Sequence, residues 1–260
     1  MSAYRRSVWE DVFIRRDYDL IVIGAGLVGQ SIAHFYARNE PTSDILVLER
    51  APHPLGASSR NAGFACIGSV TEHLADLELC DERTLKDRIR RRYEGLEVLK
   101  STLGTNEIEY SEVGGTEIFT DHKIYQKAVE HLDRINQWME EITGKREVYS
   151  RLKVNGYPAL FNKVEGMLHS GKMLKRLQQL NEQAGVQYLW NAEAASIDRD
   201  AVCLKNGSRL QASKIAVATN AFSGTLTDEA DIMPGRGYVF VTKELPELKW
   251  KGTFHYNKGY

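Results

Sequence analysis

The sequence predicts an α/β fold in which a strand–helix–strand unit opens the chain, a largely helical insertion interrupts it, and helix and short strands then resume it. Three observations carry that expectation. The unbroken aliphatic run Leu20-Ile21-Val22-Ile23 stops at Gly24, as a strand buried on both faces does. Apolar spacing then lengthens to a helical period from Gly26 to about Arg38 and returns to strand at Ile45 to Leu48. Two long stretches of helical spacing follow before strands return.

Taken in order, the first strand spans Tyr18 to Ile23, and the first helix carries Val28, Ile32 and Phe35 on one face. In the insertion, Leu85, Ile89, Leu96, Leu99 and Leu103 predict a helix over about Thr84 to Leu103. Ile124, Ala128, Leu132, Ile135, Met139 and Ile142 predict another over Asp121 to Thr143, ended by Gly144. Strand-like Gly114 to Phe119 separates them. A third helix runs from Ser170 to Ala184, closed by Gly185 at C′. Short strands follow near Gln187 to Trp190, Ala194 to Ile197, Ala201 to Leu204 and Lys214 to Ala218, and Tyr238 to Thr242 and Thr253 to His255 read as extended. The chain stops at Tyr260 with no closing helix or polar tail, the pattern expected of a piece of a longer protein.

Composition excludes several classes. The 34 Lys plus Arg against 35 Asp plus Glu leave a formal charge of -1, which argues against a general polyanion binder. Arg88, Arg90, Arg91 and Arg92 are interleaved with Asp87 and Glu94, so a solvated helix face is expected rather than a nucleic-acid or membrane surface. Cys66, Cys80 and Cys203 have no CxxC spacing, and the seven His show no HxxxH or HExxH, so no metal site or disulfide framework is implied. Cys66 is expected to pack as a small buried hydrophobe. The longest apolar run, from Leu20 to Val28, is about half a membrane span. Charged residues after Arg5 and Arg6 occupy the place of a signal peptide's apolar region, so a cytoplasmic protein without membrane insertion is expected.

Gly24-Ala25-Gly26-Leu27-Val28-Gly29 joins the first strand to the first helix, and Glu49 closes the second strand. Strand, glycines, helix and terminal acid in this order form a dinucleotide fingerprint. Gly24 allows the tight turn, Gly26 lets a pyrophosphate approach the backbone, and Gly29 lets helix and strand pack closely. The helix aims free N–H groups, those of Leu27 and Val28 among them, at the phosphates. Glu49 is placed for adenosine ribose, and its carboxylate disfavours a 2′-phosphate, so NADP is not expected; Arg50 beside it is a further candidate cofactor contact. The fingerprint leaves FAD and NAD both open. It makes the opening unit Rossmann-like.

Beyond Glu49 the stretch Gly56 to Ser69 reads GASSRNAGFACIGS, whose small and hydroxylated residues let a flat ring lie against backbone. With this segment the sequence resembles the D-amino-acid oxidase and glycine oxidase superfamily of FAD-dependent oxidoreductases, matching at Ser58, Ser59, Arg60, Asn61 and Gly63. The run Lys214 to Ser223 is similar to the family's "VVVATGAWS" strand and turn through Ala218 and Thr219, with Asn220 in place of Gly. Pro234-Gly235-Arg236-Gly237-Tyr238 resembles the family's entry into the substrate-domain sheet, with Tyr238 for the usual Gln. Val186 to Ile197 resembles the strand pair that meets adenine, with Ala194 at the contact.

The resemblance implies FAD and a discontinuous FAD-binding domain, residues 1–70 and 166–225, interleaved with an incomplete α+β substrate domain, residues 71–165 and 226–260. It implies oxidation of a small-molecule amine or amino acid by hydride transfer to the flavin, with no dedicated protein base. The Arg and Tyr that relatives use to clamp substrate belong to a C-terminal third that this chain is expected to lack. No catalytic residue is therefore assigned. His255, Tyr256 and Tyr260 are candidates for a pocket wall. A 2-hydroxy-acid dehydrogenase or monooxygenase, or a non-catalytic flavoprotein fragment, are the competing readings. Substrate, electron acceptor and oligomeric state are not legible.

Overall fold

The computed structural model describes residue 9 and residues 17–227, 232–235, 237–243, 245–248 and 250–256. The chain divides into two compact units, one of Met1–Ala62 and Ser170–Phe240, the other of Gly63–His169 and Val241–Tyr260.

In the first unit β1 (Asp17–Ile23) leads into α1 (Leu27–Asn39) and β2 (Ile45–Leu48). The chain leaves this unit after Ala62 and returns to it at Ser170. Between them lie, in the second unit, β3 (Phe64–Ala65), α2 (Val70–Asp76), α3 (Glu82–Leu103), β4 (Gly115–Ile118), α4 (His122–Glu130), α5 (Leu132–Thr143), β5 (Tyr149–Val154), β6 (Tyr157–Asn162) and β7 (Gly166–Met167). After these come α6 (Ser170–Gln183), β8 (Gln187–Leu189), β9 (Ala194–Ile197), β10 (Ala201–Leu204) and β11 (Arg209–Val217), and β12 (Thr253–Tyr256) completes the second unit.

The first unit's sheet has the order β8-β2-β1-β11-β10-β9. β8, β2, β1 and β11 are parallel, whereas β10 runs antiparallel to both β11 and β9. Alternation along β1 and β2 sorts the core into two layers. Leu20, Val22, Ile45 and Val47 pack with Ala33 and Ala37 of α1. Ile21, Ile23, Leu46 and Leu48 pack with Val202 and Leu204 of β10 and Leu210 and Ala212 of β11. Each such aliphatic side chain removed from water contributes roughly 1.5–3 kcal/mol.

The buried face of α1 is not its large apolar face. Gly29, Gln30, Ala33, His34 and Ala37 are buried, while Val28 and Phe35 are exposed. The helix lies too close to the strands for large side chains, and its two buried polar residues meet partners from α6 and β8, although His34 Nε2 has none among the described residues. Asn181 donates to the Gln30 carbonyl (2.9 Å), its Oδ1 meets His34 Nδ1 (3.1 Å), and Tyr188 donates to Gln30 Oε1 (3.1 Å). A Schellman motif ends α6, with Gly185 N–H on Glu182 and Val186 N–H on Asn181.

The second unit carries a four-stranded sheet of order β12-β4-β6-β5 and the small β3-β7 pair. Ile67, Leu85, Ile89, Ile135, Met139 and Leu160 are fully buried members of its core. Helical spacing over Asp121 to Thr143 predicts one helix, but the structure has two. His131 directs Nδ1 to the Lys127 carbonyl (2.9 Å) and its own N–H bonds Val129 instead, so the ladder breaks there. Tyr238 to Thr242 joins no sheet among the described residues, and Tyr238, Phe240 and Val241 are exposed. Arg236 and Tyr260 lie outside the described residues. Cys66 is exposed rather than packed. The basic face of α3 is largely ion-paired: Arg88 with Asp76, Arg90 with Asp87 and Arg92 with Glu72, each at 2.7 Å.

Candidate functional site

The carboxyl ends of β2, β1 and β11 converge on the glycine turn of the first unit. Gly24 N–H donates to Leu48 O and Ala218 N–H donates to Ile23 O, both at 2.8 Å, so the turn is fastened to both neighbouring strands. Gly24 adopts φ +107°, and a Cβ there would lie 2.6 Å from the Ala218 carbonyl oxygen. At Gly29 a Cβ would lie 1.9 Å from the Gly24 carbonyl oxygen. Only hydrogen fits at either place, which explains the fingerprint in contact terms.

Gly26 is the N-cap of α1 and provides no side-chain cap, and the first turn holds no acidic residue. The leading N–H groups therefore have no acidic partner within the helix itself. That of Leu27 donates to Ser58 Oγ at 2.9 Å, and Val28 beside it is exposed. Ser58 belongs to a short 3-10 turn, Ala57–Ser59, braced by its neighbours. Ser59 Oγ donates to the Pro54 carbonyl (2.7 Å), and Asn61 Nδ2 donates to the carbonyls of Ser58 (2.9 Å) and Ala57 (3.1 Å). Ser170 Oγ, at the start of α6, donates to Asn61 Oδ1 at 2.6 Å. Segment and glycine turn thus meet through one serine. Arg60 is exposed, and Gly63, with φ +73°, is the first residue of the second unit.

Glu49 accepts from Ala25 N–H through Oε2 and from Ala51 N–H through Oε1, both at 3.1 Å. A carboxylate offers about four lone-pair positions, so two remain for sugar hydroxyls, and the side chain is only half-buried. Main-chain N–H groups of Asn191 and Ala192 donate to Ala51 O (3.2 Å) and Glu49 O (2.9 Å). Ala194 follows at the start of β9, half-buried against the layer that contains Ile23, Leu46 and Leu48. Thr219 precedes the 3-10 turn Asn220–Thr225, and its Oγ1 lies 3.1 Å from Ser223 Oγ. Arg50 places its guanidinium 3.9 Å from the ring centroid of Phe222 in that turn.

Of the sequence-predicted residues, Gly24, Gly26, Leu27, Val28, Gly29, Glu49, Ser58, Ala218 and Thr219 share this one end of the sheet. Ser59 and Asn61 support it from behind. Sequence reasoning missed Phe222 as the partner of Arg50, and it missed Ala51, Asn191 and Ala192, whose roles are main-chain and leave no side-chain signature.

The second unit buries a separate polar cluster. Glu165 is 2 % exposed and accepts from the N–H groups of Ile67 (2.9 Å) and Gly68 (3.2 Å). Burial raises its carboxyl from 4.5 to about 7, against the lowering effect of those two bonds. Glu117, equally buried, accepts from the hydroxyls of Thr71 and Ser69, while its Oε2 has no partner among the described residues. Burial raises this carboxyl too. Tyr149 donates to the Gly68 carbonyl at 2.5 Å, so the 2.9 Å contact with His73 Nε2 has the imidazole as donor. Burial lowers His73 from 6.5 to about 4, and the ring is neutral. His255 pairs in register with Glu117 and is likewise lowered by burial. Tyr256 is half-exposed, its hydroxyl 2.8 Å from Thr120 Oγ1.

The glycine turn, the half-buried Glu49 carboxylate and the Ser58 flank thus stand together at one end of the first unit's sheet. Residues 19–258 match the family of FAD dependent oxidoreductases. The chain belongs to that family, and FAD is its coenzyme. Similar solved structures include glycine oxidase from Geobacillus kaustophilus, 19% identical with a TM-score of 0.61 over 81% of this chain and 57% of that one. L-amino acid deaminase from Proteus vulgaris is 15% identical with a TM-score of 0.63, covering 81% and 55%. Iminodiacetate oxidase from Chelativorans sp. BNC1 is 18% identical with a TM-score of 0.60, covering 80% and 56%. The chain therefore spans little more than half the length of these structures, and at such identities the likeness shows the fold. No curated protein matches the chain. Among the described residues no helix is long and apolar enough to cross a membrane.

Proposed function

We propose that the protein oxidises a small amine or amino acid, using FAD held at the Gly24–Gly29 turn. The observation that carries this reading is the Leu27 N–H to Ser58 Oγ bond. It sets Ser58, in the segment that carries the family resemblance, against the dinucleotide turn. Glycine oxidase, L-amino acid deaminase and iminodiacetate oxidase share the fold, and these names agree on amine-bearing substrates.

The residues fit the coenzyme. Gly26 has no side chain and faces Ser58 Oγ, which would share a phosphate with the Leu27 N–H it now accepts; the positive end of α1 favours negative charge, and Glu49 retains acceptor sites for ribose hydroxyls. FAD supplies, when bound, the two-electron acceptor for oxidation at the carbon bearing the amine. The chain's own residues bind and orient, and none of them is assigned a proton-transfer role. Ala194, Ser59, Arg60 and Asn61 join the proposed coenzyme surroundings through the family resemblance.

The test is an anaerobic panel of amines, amino acids and 2-hydroxy acids mixed with the FAD-loaded full-length protein, scored by loss of flavin colour. Bleaching by amines or amino acids but not by hydroxy acids is expected. Bleaching by hydroxy acids alone would replace this reading with a hydroxy-acid dehydrogenase.

A further inference from the structure

Glu49 and Arg50 are adjacent, yet their side chains are used differently. Both Glu49 oxygens already accept backbone N–H groups, and no carboxylate pairs with Arg50 among the described residues. Instead the guanidinium stacks on the Phe222 ring, 3.9 Å from its centroid. Both partners are well exposed, so burial does not force the contact. Topology gives it meaning. Arg50 lies just beyond β2 and Phe222 just beyond β11, and these strands flank β1 on opposite sides. With strands about 4.8 Å apart, the pair bridges roughly 10 Å across the carboxyl end of β1, where Gly24 begins the glycine turn. Stacking occupies the face of the guanidinium and leaves its five in-plane N–H donors for another acceptor. No acidic side chain stands in the first turn of α1 to receive them.

We propose that Phe222 is a positioning residue that holds Arg50 across the glycine turn, where the guanidinium binds the phosphates of the incoming adenine dinucleotide. The inference rests on the FAD reading above and deepens it. Without the ring, an exposed arginine samples many rotamers and must be ordered at each binding event, which costs affinity. The aromatic platform removes part of that cost. Arg50 is then a phosphate ligand in its own right, and Phe222 acts only through it.

The test is a double-mutant cycle on the full-length chain, reading the FAD dissociation constant from flavin fluorescence at two salt concentrations. Arg50→Gln and Phe222→Leu are each expected to weaken FAD binding about fivefold to tenfold. The double variant should be no weaker than the worse single one, because both changes remove the same interaction. The salt dependence should fall equally in all three, and Phe222→Trp should keep the parent affinity. A Phe222 that served only to pack would lower the melting temperature and leave the salt dependence untouched. Parent protein that binds FAD while Phe222→Leu matches it, or losses that multiply in the double variant, overturns the proposal alone. Parent protein that binds no FAD overturns the coenzyme reading and this proposal together.

Discussion

Glu49 in the first unit and Glu165 in the second each accept hydrogen bonds from two backbone N–H groups, but Glu49 is half-buried and Glu165 is 2 % exposed. At Glu49 the main-chain bonds orient a carboxylate whose remaining lone pairs stay accessible to a ligand. At Glu165 they hold the Ile67–Gly68 loop inside the core, and burial pushes the carboxyl up to about 7. The same small device orients a ligand group where water can reach it and fixes a loop where water cannot. Burial separates the two roles, not residue type or bond count.

Removing each carboxylate should break the comparison most sharply. Glu165→Ala leaves two buried N–H groups without acceptors and should lower stability by about 3 kcal/mol in urea unfolding, with FAD affinity the lesser effect. Glu49→Ala exposes its N–H groups to water and should cost only about 1 kcal/mol, while weakening FAD binding at least tenfold. Equal stability losses at the two sites would erase the distinction.

Titration sharpens the comparison next. A Glu165 carboxyl at about 7 keeps its proton in the native state while the unfolded chain, near 4.5, has released it. Its contribution to stability therefore falls as pH rises from about 4.5 to 7, by up to about 3 kcal/mol. His73 runs the other way. At about 4 in the fold against 6.5 unfolded, it is protonated first in the unfolded chain, so stability falls as pH drops from 6.5 to 4. The two slopes oppose each other over the shared range. Glu165→Gln should therefore unmask stability that rises with pH from 4 to 6.5, and His73→Phe should unmask stability that falls from 4.5 to 7. Urea midpoints across that range decide it, and identical profiles in both variants would contradict the assignment.

The smallest expected effect lies at Asn220, which sits at φ +49°. Asn220→Gly removes the left-handed strain but frees the unfolded chain, so a change within about 0.5 kcal/mol is expected by thermal unfolding. A larger loss would show that the Asn side chain itself supports the turn before Phe222.

The first unit was legible because its geometry is written in local patterns. Gly24 and Gly29 stand where contacts permit no Cβ, Gly26 stands close to Ser58, and Leu20 to Ile23 and Ile45 to Leu48 are unbroken aliphatic runs. The face of α1 was less legible. Nothing local marks Gln30 and His34 as buried, because their partners Asn181 and Tyr188 lie some 150 residues away. In the second unit Asn155-Gly156 carried a usable signal. Both residues have positive φ, 49° and 86°, and they close the β5–β6 hairpin, as Asn-Gly does in a type I′ turn. Glu165 and Glu117 left no such mark, because a buried acid is recognised only by what surrounds it. The break at His131 was hidden for a related reason, since a side chain that captures a helix carbonyl leaves the apolar period intact.

Competition between nucleotides tests the central claim most directly, because the glycine turn, Glu49 and Ser58 would recognise the adenosine diphosphate half of FAD rather than its ring. With FAD bound to the full-length protein and followed by flavin fluorescence, ADP should displace it and FMN, which lacks that half, should not. Displacement by FMN with no effect of ADP would contradict the account.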